Sequence, residues 1–284
     1  MKLVCLPYAG GSALMFSAWK ERFPDVEVIP MELPGRGLRF KEKNAPNMKT
    51  LAQDLADRVE QKVQNDDYIL LGFCYGAIVA YAVYQELQRR KDSNLPVGVI
   101  VMSSLPPGMH STAELVFTMP NYKLVKYLLK SLNYDPSDDS KKSNENGEAI
   151  LKLFSIVNPE LTQELQSMKP FQLIMSFLYP SGSKGHEIQN ILNVLKDDGR
   201  IMAAYDPEES DVRIDVPVAA IRGMSDEVVR QQDVDAWCEF CTGDFQRYDV
   251  TGAHMMLLDS ETDALDVIED IMKRFQWRVQ DVIS

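Results

Sequence analysis

Six apolar runs recur along the chain: KLVCLP, VEVIPMEL, YILLGF, VGVIVMSS, VPVAAIRG and DFQRYDV. Each is short and bounded by turn-forming residues, which reads as a strand. Between the early runs, MKTLAQDLADRVEQKVQ and AIVAYAVYQELQRR repeat their apolar positions at helical spacing. Continuous apolar strands alternating with helices predict an α/β fold, a mostly parallel central sheet flanked by helices on both faces. The alternation stops after Ser104. From Pro106 to Lys196 the stretches YKLVKYLLKSL, EAILKLFSIV, PFQLIMSFLY and EIQNILNVLK predict successive helices with no strand between them. Polar, turn-rich segments at 135–147 and 180–185 interrupt them. The expectation is one domain over 1–284, with a core of 1–105 and 197–284. Residues 106–196 are then an inserted helical lid over the carboxyl ends of the strands, where open α/β sheets place their ligands. A helical subdomain with no gating role is the alternative.

The run YILLGF leads into Gly72-Phe73-Cys74-Tyr75-Gly76 and then a helix. This is the spacing of a nucleophile elbow, G-x-S-x-G, with cysteine in the serine position. A nucleophile between strand and helix needs a sharp turn, so its flanks call for glycine. The helix N-terminus that follows favours negative charge, and thiolate is the reactive form of cysteine. A base and an orienting acid must complete such a site. Of the three histidines, His110 and His186 fall in the expected insertion, whereas His254 follows a strand in VTGAHMMLL. Asp226, in IRGMSDEVV, follows another. The chain order nucleophile, acid, histidine is that of α/β-hydrolases, so Cys74, Asp226 and His254 are the candidate catalytic residues. In that fold the oxyanion is held by backbone N–H groups at the elbow and at the end of the first strand, which nominates Tyr75 and Ala9.

LVCLPYAGGSALMFSAW, MELPGRGLRF, the elbow, GMSDEVV and TGAHMML together resemble the external (type II) thioesterases of nonribosomal peptide and polyketide synthases. The resemblance covers 1 to about 105 and about 197 to 260, including DDGRIMAAYDP, which is similar to the family's last lid helix and its exit. It implies an α/β-hydrolase fold and hydrolysis of acyl thioesters on the phosphopantetheine arm of acyl or peptidyl carrier protein domains. It also implies Cys74, Asp226 and His254 as nucleophile, acid and base, with Ala9 and Tyr75 at the oxyanion. Two features depart from the family: cysteine replaces the usual serine, and the segment 106–196 is longer than the usual lid. Attack by cysteine on a thioester yields another thioester, so the acyl group stays activated for hydrolysis or for transfer to an amine or hydroxyl. An acyltransferase or cyclase is therefore one alternative. A dienelactone hydrolase relative, a family that also uses cysteine in this elbow, is another, although PYAGGS and LPGRG speak against it. A cysteine substituted for serine to trap an acyl-enzyme, and a silent carrier-binding protein, complete the set.

Composition narrows the partners. A formal charge of −12 disfavours nucleic acid or an anionic membrane. An acidic partner would need a local basic patch, for which Arg36, Arg39, Lys41 and Lys43, and then Lys123, Lys126 and Lys130, are the candidates. No run approaches the ~20 apolar residues of a membrane span, and the apolar start LVCL breaks at Pro7, short of a secretory core. Cys5, Cys74, Cys238 and Cys241 form no disulfide framework, which favours a reducing cytoplasm. The single Cys238-Glu-Phe-Cys241 pair reads as ordinary thiols and Cys5 as core. No cofactor or metal is expected, and the chain is expected to be a monomer.

Overall fold

All six expected strands form one sheet, and every pairing in it is parallel. The computed structural model describes residues 1–91, 93–109, 182–207, 212–258 and 263–283. The strands are β1 (Lys2–Leu6), β2 (Glu27–Pro30), β3 (Tyr68–Phe73), β4 (Gly98–Met102), β5 (Val218–Gly223) and β6 (Phe245–Val250). Their order is β2-β1-β3-β4-β5-β6. The principal helices are α1 (Met48–Val63), α2 (Tyr75–Arg89), α3 (Gly182–Ala203) and α4 (Ala264–Ile283). Most of the expected insertion, 110–181, lies outside the described residues, together with His110, Lys123, Lys126 and Lys130.

Alternation along β1 sends Leu3 and Cys5 to one face and Val4 and Leu6 to the other. The first face packs with Phe16, Trp19 and, from α4, Ile268, Ile271, Met272 and Phe275. The second packs with Leu51, Leu55 and Val59 of α1 and with α2. Because both faces are covered, β3 and β4 are buried along their whole length, and that is why they read as unbroken apolar runs. The Asn47 side chain caps α1 by accepting from the Thr50 N–H at 2.8 Å. β6, last in the order among the described strands, is half polar, and Arg247 and Asp249 on it pair at 3.2 Å, which suits an edge strand.

Registers bring the strand ends level. Leu6 pairs with Gly72, Phe73 with Met102, and Gly223 with Val250. The loops after β1, β3, β5 and β6 therefore leave the same edge of the sheet. The connections from β1 and β3 depart in opposite directions, and this reversal opens the crevice in which α/β sheets bind ligands.

Two expectations change here. α3 begins at Gly182, inside the segment expected to be a turn, and continues past Lys196 to Ala203. Its buried stripe Leu192, Leu195, Asp198 and Ile201 keeps helical spacing, but one of its members is charged. The basic cluster also dissolves: Arg36 and Arg39 are buried, and each is consumed by carboxylates of this chain. Only Lys41 and Lys43 of that group stay exposed. Among the described residues no helix is long and apolar enough to cross a membrane.

Candidate active site

Cys74 sits between β3 and α2 with φ 54° and ψ −115°, in a region that non-glycine residues rarely occupy. Strain of this kind, on the order of 1–3 kcal/mol, persists only where the surroundings enforce it. The enforcement is visible. A Cβ on Gly72 would stand 2.2 Å from the Gly76 carbonyl oxygen, and one on Gly76 would stand 2.2 Å from that of Leu6. The elbow can thus lie flat against β1 only with glycine at both positions. The Cys74 N–H donates to the Met102 carbonyl at 2.8 Å, tying the turn to β4.

Asp226 and His254 arrive on the loops after β5 and β6, which are stitched together. Met224 N–H donates to Val250 O at 2.8 Å and Ser225 N–H to Gly252 O at 3.0 Å. A Cβ on Gly223 would fall 2.5 Å from the carbonyl oxygens of both Gly252 and Ala253. Glycine there lets the histidine turn settle against the acid strand. Asp226 is buried, and its Oδ1 accepts from the N–H groups of Val228 at 2.8 Å and Val229 at 2.9 Å. That leaves Oδ2 for His254 Nδ1, 3.0 Å away. On the other side of the ring, His254 Nε2 lies 3.3 Å from Cys74 Sγ. All three candidates nominated from the sequence therefore meet in one line.

His254 is buried, and burial works against its charge. The Cys74 sulfur and the Asp226 carboxylate outweigh that penalty and push its pKa up to about 10. With the ring protonated, both nitrogens donate, one to each neighbour. The arrangement can hold a thiolate against an imidazolium whose orientation the carboxylate sets.

Ala9 lies in the loop after β1, in a turn closed by Gly11 N–H donating to Tyr8 O at 2.8 Å. Tyr75 is the first residue of α2, so its N–H is one that the helix cannot satisfy internally. The other three cysteines stand apart. Cys5 is buried, and burial raises its pKa. Cys238 is exposed, while Cys241 is buried with its thiol 3.1 Å from the Trp237 carbonyl, and burial followed by Cys238 pushes it up to about 12. Among the described residues no group of three or more His, Cys, Asp or Glu side chains is placed to hold a metal ion. Met255 and Met256 are core residues. The sequence passed over the pairing of Arg36 with Asp198 beside Gly10, and only the charged member of the α3 stripe hinted at it.

A family model described as a thioesterase domain matches residues 1–121. The chain is 24% identical over 270 residues to the gramicidin S biosynthesis protein GrsT of Aneurinibacillus migulanus, covering 94% of this chain and 86% of that protein. The structure is similar to RedJ, a thioesterase from the prodiginine biosynthetic pathway in Streptomyces coelicolor. There the TM-score is 0.67 at 26% identity, over 91% of this chain and 80% of the other. It also shares its fold with YbtT, a type II thioesterase from the yersiniabactin NRPS/PKS pathway, at TM-score 0.67 and 20% identity, over 97% and 92% of the two chains. The fold is the α/β-hydrolase fold, and these likenesses support a thioester hydrolase.

Proposed function

We propose that this protein is a thioesterase that releases acyl groups from the phosphopantetheine arm of carrier proteins in polyketide or nonribosomal peptide biosynthesis. The observation that carries the proposal is the 3.3 Å contact between His254 Nε2 and the sulfur of Cys74, a residue held in a strained elbow at a helix N-terminus. Cys74 attacks the thioester carbonyl as the thiolate, and the oxyanion that forms accepts hydrogen bonds from the Ala9 and Tyr75 N–H groups. The carbon–sulfur bond to pantetheine then breaks, and its thiol leaves with a proton from His254. His254 next takes a proton from water, whose oxygen attacks acyl-Cys74 and releases the free acid. Asp226 holds the ring in place through both steps.

The partners in this proposal are acyl or peptidyl carrier protein domains, and the phosphopantetheine belongs to the carrier. The chain itself needs no cofactor and works as a cytoplasmic monomer. The cysteine favours one second outcome from the same intermediate. Because acyl-Cys74 is itself a thioester, an amine or hydroxyl held nearby competes with water, giving transfer or cyclisation.

Incubation with acyl-loaded carrier protein tests the proposal. Free acid should accumulate, acyl-Cys74 should be seen by intact-protein mass spectrometry, and both should vanish in Cys74→Ala. Product that appears only when an acceptor is added would select the transfer reading. Release that is unaffected by Cys74→Ala would remove the cysteine from the mechanism.

A further inference from the structure

The loop that carries Ala9 is gripped by a charged pair that takes no part in the proton transfers. Asp198, on α3, is 1% exposed, and Arg36, in the loop after β2, is 5% exposed. The two meet in a bidentate pair, with Nη1 2.5 Å from Oδ2 and Nη2 2.6 Å from Oδ1. The same Oδ2 accepts the Gly10 N–H at 2.7 Å, and Arg36 Nη1 lies 3.5 Å from the Gly11 carbonyl oxygen. One carboxylate and one guanidinium thus hold both residues that follow Ala9. Leu195, one turn earlier on α3, closes over the same point, with its Cβ 3.3 Å from where a Cβ on Gly10 would be. Gly10 has φ +74°, so an L side chain there would be strained as well as crowded.

A buried ion pair is a weak source of stability, because desolvating two charges offsets most of their attraction. What this pair does that an apolar pair could not is fix a backbone N–H next to the oxyanion donor. Both Nη groups of Arg36 and both oxygens of Asp198 are engaged with each other and with the loop, and Arg36 Nε is buried with no hydrogen-bond partner among the described residues. We infer that Asp198 is a positioning residue, which acts through Gly10 to aim the Ala9 N–H at the developing oxyanion, with Arg36 holding the carboxylate in place. The inference rests on the thioesterase proposal and deepens it.

The test separates oxyanion support from activation of the thiol. Acylation of Cys74 by an acyl-pantetheine thioester passes through a tetrahedral oxyanion, whereas its alkylation by iodoacetamide does not. Losing one oxyanion donor slows such reactions by about 10²–10³-fold, so a misaimed donor in Asp198→Asn should slow acylation by roughly 10–100-fold. Half-saturation by the thioester should be unchanged and alkylation should stay within about twofold of wild type. Because the single variant leaves a buried guanidinium unpaired and is at risk of unfolding, Arg36→Met/Asp198→Leu is the companion, removing both charges together. It should show the same split, with folding checked by circular dichroism.

Acylation as fast as wild type in the folded variants would overturn the positioning role and leave the thioesterase proposal standing. Equal losses of acylation and alkylation would also overturn it, since the pair would then support the triad or the fold in general. A wild-type protein that is alkylated at Cys74 but never acylated would overturn both.

Discussion

His254 Nε2 lies 3.3 Å from Cys74 Sγ, although 180 residues separate the two in the chain. The contact exists because β3 and β6 end at the same edge of one parallel sheet, with Asp226 delivered between them from β5. Four expectations follow from that geometry.

Replacing Asp226 by Asn keeps the volume but places an amide where Oδ1 accepts two backbone N–H groups and Oδ2 faces Nδ1. With its oxygen kept on the two N–H groups, the amide turns its NH2 towards Nδ1, which disfavours a proton there and favours the ring form protonated on Nε2. Turnover should fall by about 10²–10⁴-fold with little change in substrate affinity, as steady-state kinetics would show. Loss confined to KM would instead mark Asp226 as a binding residue.

His254 should keep its proton well above neutrality. An unfolded histidine titrates near 6.5 and this one at about 10, so the folded state binds the proton more tightly. The stability that this group contributes is complete below about 6.5 and is lost as pH rises through about 10. Ring nitrogen shifts measured by NMR should therefore stay those of imidazolium from pH 6 to 8. In Cys74→Ala the titration should move down towards the ordinary histidine value, because the charge of the sulfur is the largest of the influences that raise it. A wild-type midpoint near 6.5 would refute the ion-paired description.

Gly223→Ala should disturb the site without touching any candidate catalytic side chain. The new Cβ meets two carbonyl oxygens at 2.5 Å, so the turn carrying His254 has to move. A loss of about 1–3 kcal/mol in denaturant unfolding is expected. Cys74 alkylation should also slow beyond what that loss explains. Unchanged stability and reactivity would mean that the two loops are not held by this contact.

Cys74→Ser should change the fate of the acyl group more than its capture. The intermediate becomes an oxygen ester, which is far less reactive towards amines than a thioester. With an amine acceptor present, product analysis should show the ratio of transferred to hydrolysed acyl falling below that of the wild type. An equal ratio would show that access of the acceptor, and not the sulfur, sets the outcome.

The strands were legible because burial on both faces leaves a local mark, an unbroken apolar run such as YILLGF or GVIVM. The three candidate residues could be nominated because their turns demand particular residues, including glycines at 72 and 76 around a strained Cys74. α4 also carries its mark locally, since Ile268, Ile271, Met272 and Phe275 repeat at helical spacing. Arg36 and Arg39, by contrast, were misplaced. On a one-dimensional chain they stand among Lys41, Glu42 and Lys43, whereas in space Arg36 meets Asp198, and Arg39 meets Asp54 as well as Glu42.

The amino-acid order alone determined the class of fold and the succession of strands, and it nominated Cys74, Asp226 and His254, because periodicity and turn requirements act over a few residues. Only the folded chain decided that Asp198 lies beneath the loop after β1, paired with Arg36 162 positions away, and that His254 stands between the Cys74 sulfur and the Asp226 carboxylate. Burial and charge pairing depend on which surfaces the sheet brings together, and Coulomb interactions strengthen only once water has been removed from around the groups that meet.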